Sequence, residues 1–154
     1  KDSNEILGHN LEYGIPFEDN SFDIVFALDV LEHVENIHFL FDEILRVTKL
    51  EAIVALPNMS YWKFRLRFLK GKDISDKYIF SPVKILDRHR WFTSYNSAIK
   101  FVSENAKGHD VTIKQGFYQY RSRTLSVIDS FFSRKFPNLF TYVIFFKIVK
   151  KQKV

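Results

Sequence analysis

Five histidines, eighteen acidic residues and no cysteine set the chemistry open to this 154-residue chain. Disulfides and Cys-based zinc sites are excluded outright. Glu32-His33 has the residue types of a metal pair, but adjacent residues on a helix do not face the same way. There is no cysteine, and no second histidine four residues on. The expectation is therefore no metal, with Glu32 and His33 orienting a helix or making a buried hydrogen bond. The alternative for His33 is that it reaches a reaction centre. His89 stands between Arg88 and Arg90. Neighbouring cations lower a histidine pKa and favour the neutral ring that a general base needs. Its plain alternative is packing or a solvent-facing position. Asn58 follows Pro57 at the end of an apolar run, where its amide could orient a polar substrate group. Lys63, Arg65, Arg67, Lys70 and Lys72 alternate with Trp62, Phe64, Leu66 and Phe68. That pattern suits phosphates, an acidic substrate or an anionic membrane surface, or simply a solvated helix with snorkelling stems. Phe64 and Phe68 among the cations favour a lid or partner-binding segment.

The elements that must hold these residues follow from periodicity. Phe22–Leu28 is apolar without alternation, as in a strand buried on both faces of a parallel sheet. Apolar residues from Val30 to Val47 recur at three- and four-residue spacing, predicting a helix from about Asp29 to Thr48. Ala52–Leu56 is a second buried strand, closed by Pro57-Asn58. The three form a βαβ unit, right-handed by rule. A helix over Ser60–Leu69 ends at Gly71, and Lys72–Arg90 is irregular. Thr93 or Ser94 caps a helix over Tyr95–Asn105, which Gly108 closes. Val111–Phe117 alternates as a strand, Ser126–Ser133 is a short helix, Pro137-Asn138 a turn, and Phe140–Val149 a last strand. The fold class is α/β, a doubly wound, mostly parallel sheet with an antiparallel last strand, in one domain. A bare strand at Asp23–Leu28 would be a flat apolar edge, so further strands or a second chain should cover it.

Apolar residues are 46% and charged residues 27%, which excludes a disordered or low-complexity chain. Seventeen phenylalanines allow a large core in a short chain. The longest apolar run, Leu139–Phe146, is far short of a membrane span, and the polar start lacks a signal-peptide layout. A cytoplasmic location is the expectation. A net charge of +5 spread over the whole chain, without an RNA- or DNA-binding signature, makes nucleic acid an unpromising partner. The chain begins at Lys1 and its one methionine is Met59, which reads as a piece lacking its original start.

Ile15–Val34 (IPFEDNSFDIVFALDVLEHV), Glu43–Lys49 (EILRVTK) and Ala52–Asn58 (AIVALPN) together resemble the second half of a class I S-adenosylmethionine-dependent methyltransferase. Arg88–Thr93 (RHRWFT) and Pro137–Tyr142 (PNLFTY) also fit in order and spacing, and Pro57–Leu66 (PNMSYWKFRL) is similar to the MetW-like branch of methyltransferase type 11. The family's glycine-rich loop has no counterpart, since the five glycines form no G-x-G. Two upstream βα units, roughly 60 residues, would carry it.

The resemblance implies S-adenosylmethionine as cofactor, with Leu28 and Asp29 beside it and Asn10 and Leu11 near its adenine. Asn10 stands where relatives carry Asp, so a charge-assisted hydrogen bond is lost there. Residues 61–90 would be a variable lid or specificity insertion, and Asn58 and Tyr61 would face the substrate. His89 and His33 are the catalytic candidates, while Thr93 reads as a helix cap. The implied activity is methyl transfer to a small-molecule acceptor. The alternative is an inactive methyltransferase-fold partner protein. Homodimers and peripheral membrane contact are further expectations.

Overall fold

The computed structural model describes residues 8–84, 87–117 and 123–151. Residues 85–86 of the expected lid thus lie outside the described residues. Four strands form one sheet in the order β1-β2-β4-β3: β1 Phe22–Leu28, β2 Thr48–Pro57, β3 Asp110–Gly116 and β4 Val143–Val149. β1 runs parallel to β2, with Val25 beside Ala52 and Ala27 beside Val54. β4 is antiparallel to both of its neighbours, so three strands point one way and β4 the other. The parallel first pair and reversed last strand match the sequence pattern.

Helices α1 (Ile37–Val47) and α3 (Tyr95–Asn105) close one face. Phe41, Ile44, Ala98 and Val102 pack there against Ala27, Val54, Ile144, Phe146 and Ile148. The cross-strand register supplies these as aligned rows, Val54 beside Phe146 and Phe146 beside Ile113. α3 starts where expected, because Ser94 and Ser97 form a reciprocal capping box. α2 (Trp62–Leu69) ends as the chain turns through Gly71 at φ +68°, a left-handed conformation glycine takes without strain. α4 (Arg123–Ser133) and α5 (Pro137–Phe140) precede β4.

Several boundaries depart from expectation, among them β2, which begins at Thr48 rather than Ala52, and α4, which begins at Arg123 rather than Ser126. The stretch from Asp29 does not continue as helix. Asp29 takes φ +52°, Leu31–His33 makes one 3-10 turn, and α1 begins only at Ile37, where Asn36 accepts a hydrogen bond from the Phe39 amide. Pro137-Asn138 is the first turn of α5 rather than a bare turn, because proline suits the first helical position. β4 then starts at Val143 rather than Phe140.

The second face differs. Phe22, Ile24, Phe26 and Leu28 alternate with the core-facing Val25 and Ala27, and all four are exposed. Among the described residues β1 pairs with β2 alone. The apolar edge anticipated from the sequence is present.

Candidate active site at the strand ends

A hollow of about 340 Å³ opens at the carboxyl ends of β1 and β2, toward the bare face of the sheet. Sheets of this kind place ligands there, since the strand ends leave a crevice and free backbone groups. Leu28 and Asp29 form one lip, Ala55 and Pro57 the next, and Val143 and Phe145 the third. Met59, Phe64 and Tyr142 add apolar wall, and Ser75 and Lys77 come from the loop after α2. The polar end holds Glu32 and His89.

Long-range contacts assemble that end. The Arg90 amide donates to the Glu32 carbonyl at 2.8 Å, and Trp91 Nε1 donates to the Val34 carbonyl at 2.8 Å. Arg90 also pairs with Glu35 through its guanidinium. The 3-10 turn and the loop before α3 are thus laced together. His33 donates from Nδ1 to the Arg88 carbonyl at 2.8 Å. Its ring meets that of His89 edge-on at 4.7 Å. Tyr78 donates its hydroxyl proton to the Trp91 carbonyl at 2.6 Å, so toward His89 Nδ1 at 3.2 Å it can only accept. His89 therefore carries its proton on Nδ1 and turns a lone pair on Nε2 inward.

The electrostatics follow from burial. Glu32 is 1% exposed, and burial raises its pKa. Its own amide dipole and His33 oppose that rise, while Asp29 adds to it. The His89 pKa is pushed down to about 4, first by burial and then by Lys77 and His33. The direction matches the sequence expectation and the cause does not, because burial, Lys77 and His33 produce it rather than Arg88 and Arg90. A histidine held that low is neutral at pH 7 and a weak base. Tyr78 is pushed up to about 12 by burial and by Glu32.

The sequence candidates therefore separate into three groups. Leu28, Asp29 and His89 line the hollow, with His33 packed on His89. Asn10 and Leu11 do not line it. Asn10 caps its own 3-10 turn by accepting from the Glu12 amide, and Leu11 packs on the core cluster. Asn58 and Tyr61 are fully buried beneath the site. Asn58 Nδ2 donates to the carbonyls of Asn138 (3.0 Å) and Thr141 (2.7 Å). Its Oδ1 accepts from the amides of Ser60 (3.0 Å) and Tyr95 (3.1 Å). That exhausts a side-chain amide, so nothing remains to offer a substrate. Tyr61 donates its hydroxyl to Asp129 at 2.5 Å. Lys77 and Phe145 are wall residues that no sequence motif marks.

Residues 2–56 match the methyltransferase domain family. A SAM-dependent methyltransferase from Thermotoga maritima superposes with a TM-score of 0.56 at 14% identity, over 91% of this chain and 61% of that one. The chain has the class I methyltransferase fold. A second methyltransferase of this fold, from Archaeoglobus fulgidus, gives a TM-score of 0.52 at 18% identity over 94% of this chain and 66% of its own. In sequence, the chain is 37% identical over 62 residues to the bifunctional methionine biosynthesis protein MetXA/MetW of Rhodopirellula baltica. That match covers 40% of this chain and 10% of the relative, so the chain spans a small part of that protein.

Proposed function

We propose that the chain forms one side of an S-adenosylmethionine-dependent methyltransferase site acting on a small-molecule acceptor. The observation that carries this reading is the hollow at the parallel ends of β1 and β2, with Leu28 half exposed at its lip. The residues fit a nucleoside ligand: an apolar side chain at the strand end, a carboxylate one residue later, and a crevice open beyond them. When bound, the cofactor supplies an electrophilic methyl group on a sulfonium. Leu28 then packs against it, and Asp29 offers a carboxylate toward its polar groups. Because such a methyl transfers readily to an aligned nucleophile, the main task of the protein is positioning. Lys77, Ser75 and Phe64 supply the acceptor side, as part of a lid formed by residues 61–90. His33 and His89 are the catalytic candidates. His89, buried and neutral, presents Nε2 to an acceptor proton without a charge of its own.

Titration calorimetry of the purified chain with S-adenosylmethionine tests this. Expected is saturable heat that Leu28→Asp abolishes. The absence of both heat and a rise in melting temperature would end the proposal.

A second reading is a partner protein of the same fold without turnover. It is favoured by Asn10, whose amide oxygen is spent on its own turn, and by the apolar row on β1, which suits a homodimer. Cofactor binding without methyl transfer to any acceptor, together with concentration-dependent dimers, would select it. The exposed Phe68 and Leu69 among the cations of α2 are the place for any membrane-surface contact. No helix among the described residues is long and apolar enough to cross a membrane.

A further inference from the structure

Three donor groups meet at the inner end of the hollow. One ligand atom each from Glu32, His33 and His89 lies within 4.8 Å of the others. Glu32 Oε1 and His89 Nε2 are 3.9 Å apart. Neither carboxylate oxygen of Glu32, nor His89 Nε2, has a hydrogen-bond partner among the described residues, although all three atoms are buried. Buried polar atoms are nearly always satisfied, and a carboxylate without donors is costly. Three such atoms side by side ask for a shared partner.

The surrounding groups fix what that partner can be. Tyr78 holds the His89 proton on Nδ1, and the Arg88 carbonyl holds the His33 proton on Nδ1. The His89 ring is thus set with its Nε2 lone pair toward the cluster, the arrangement in which outer hydrogen bonds orient imidazole ligands. An anion has no donor here, and a single water could donate to two of these acceptors but not to all three. Lys77, a cation that acts on both Glu32 and His89, is tied to Asp87 at 2.8 Å. His33 Nε2 is 3.4 Å from the exposed Asp87 and gives up that ion pair when it joins the cluster.

We propose that Glu32, His33 and His89 form a binding site for one divalent transition-metal cation. Two imidazole nitrogens and one carboxylate suit Zn²⁺, Mn²⁺ or Co²⁺, whereas Mg²⁺ and Ca²⁺ prefer oxygen alone. Bond lengths near 2.0–2.2 Å put neighbouring ligand atoms about 3–4 Å apart, so the cluster closes by about 1 Å on binding. The sequence alone argued against a metal, because Glu32 and His33 were placed on a regular helix. The 3-10 turn removes that objection, and His89 supplies the third ligand from 56 residues away. The site stands whether or not the chain binds S-adenosylmethionine.

The test is a titration of the purified, chelator-treated chain with Co²⁺, followed by visible absorption, and with Zn²⁺ by calorimetry. Expected are one equivalent bound and ligand-field bands typical of nitrogen and oxygen donors. Glu32→Gln and His89→Ala each weaken binding at least 10-fold, and Tyr78→Phe, which frees the His89 ring, weakens it several-fold. Asp76→Asn, on the exposed loop, leaves it unchanged. Should the buried variants fail to fold by circular dichroism, His33→Ala, at a partly exposed side chain, carries the same 10-fold expectation. Absence of binding, or binding of equal strength in the folded cluster variants, overturns the proposal.

Discussion

Replacing Asn58 with alanine separates a structural from a substrate-binding role. Its side chain makes four hydrogen bonds, tying the end of β2 to the start of α3 and to the segment leading into β4. Alanine removes all of them. Tyr95 keeps a second acceptor, the Asn138 side chain at 3.1 Å, and the partly buried Ser60 amide and Asn138 carbonyl can turn to water. The Thr141 carbonyl is buried and is left with nothing from this side chain. Each lost bond is worth about 1 kcal/mol net, and the stranded carbonyl about 1–3 kcal/mol, so the expected loss is about 3–5 kcal/mol. That is a large part of the about 5–15 kcal/mol typical of a domain. It corresponds to a melting temperature lower by about 10 °C at about 2–4 °C per kcal/mol. Urea unfolding followed by circular dichroism measures it. Asn58→Asp should be at least as harmful, because it turns an acceptor toward two carbonyls and buries a charge. A loss below about 1 kcal/mol in both variants, with the denaturant slope unchanged, would refute the structural assignment. Ligand binding would then become the reason for this asparagine.

Tyr61→Phe keeps the buried ring but removes one hydrogen bond to the Asp129 carboxylate, to which Trp62 Nε1 also donates, and should cost about 1.5–3 kcal/mol in the same unfolding assay. Glu43 is held below its usual 4.5 by hydrogen bonds from Arg46, with burial opposing and the Ile15 amide adding to the fall. Its folded pKa is the lower one, so this contribution is complete above pH 4.5 and is lost as pH falls through the folded value. Glu43→Gln should flatten the acid limb of a stability–pH curve while lowering stability at neutral pH. Leu28→Asp, at a half-exposed side chain, should change stability by no more than about 0.5 kcal/mol while abolishing cofactor binding. A large stability loss there would show Leu28 to be core.

The sheet was legible in the sequence because β1 and β2 carry short apolar runs, β3 alternates, and turn residues bound them. The start of α3 was legible to within one residue, because a hydroxyl before an apolar repeat marks a cap, and between Thr93 and Ser94 the structure selects Ser94. The stretch from Asp29 to Asn36 was not. Val30, Val34 and Ile37 carry helical spacing, yet the backbone is turned by Asp29 and held by Arg88, Arg90 and Trp91, more than fifty residues later. Periodicity contains no information about such partners. Asn58 misled for the same reason: beside Pro57 it looks like a free amide, and its bonds reach as far as Thr141. Arg46 shows the reverse, a helix-end cation that also clasps the Phe17 carbonyl and Asp19 and so secures the loop before β1.

The row Phe22, Ile24, Phe26 and Leu28 has a practical corollary for anyone who handles the isolated polypeptide. Greasy ribbons with idle amides stick to one another, and here mutual repulsion from a surplus of five positive charges is what opposes clumping. Dissolved electrolyte shortens the reach of that repulsion to about 10 Å at 0.1 M. Solutions should therefore turn cloudy as sodium chloride is added, and a lysine placed at Phe26 should keep them clear.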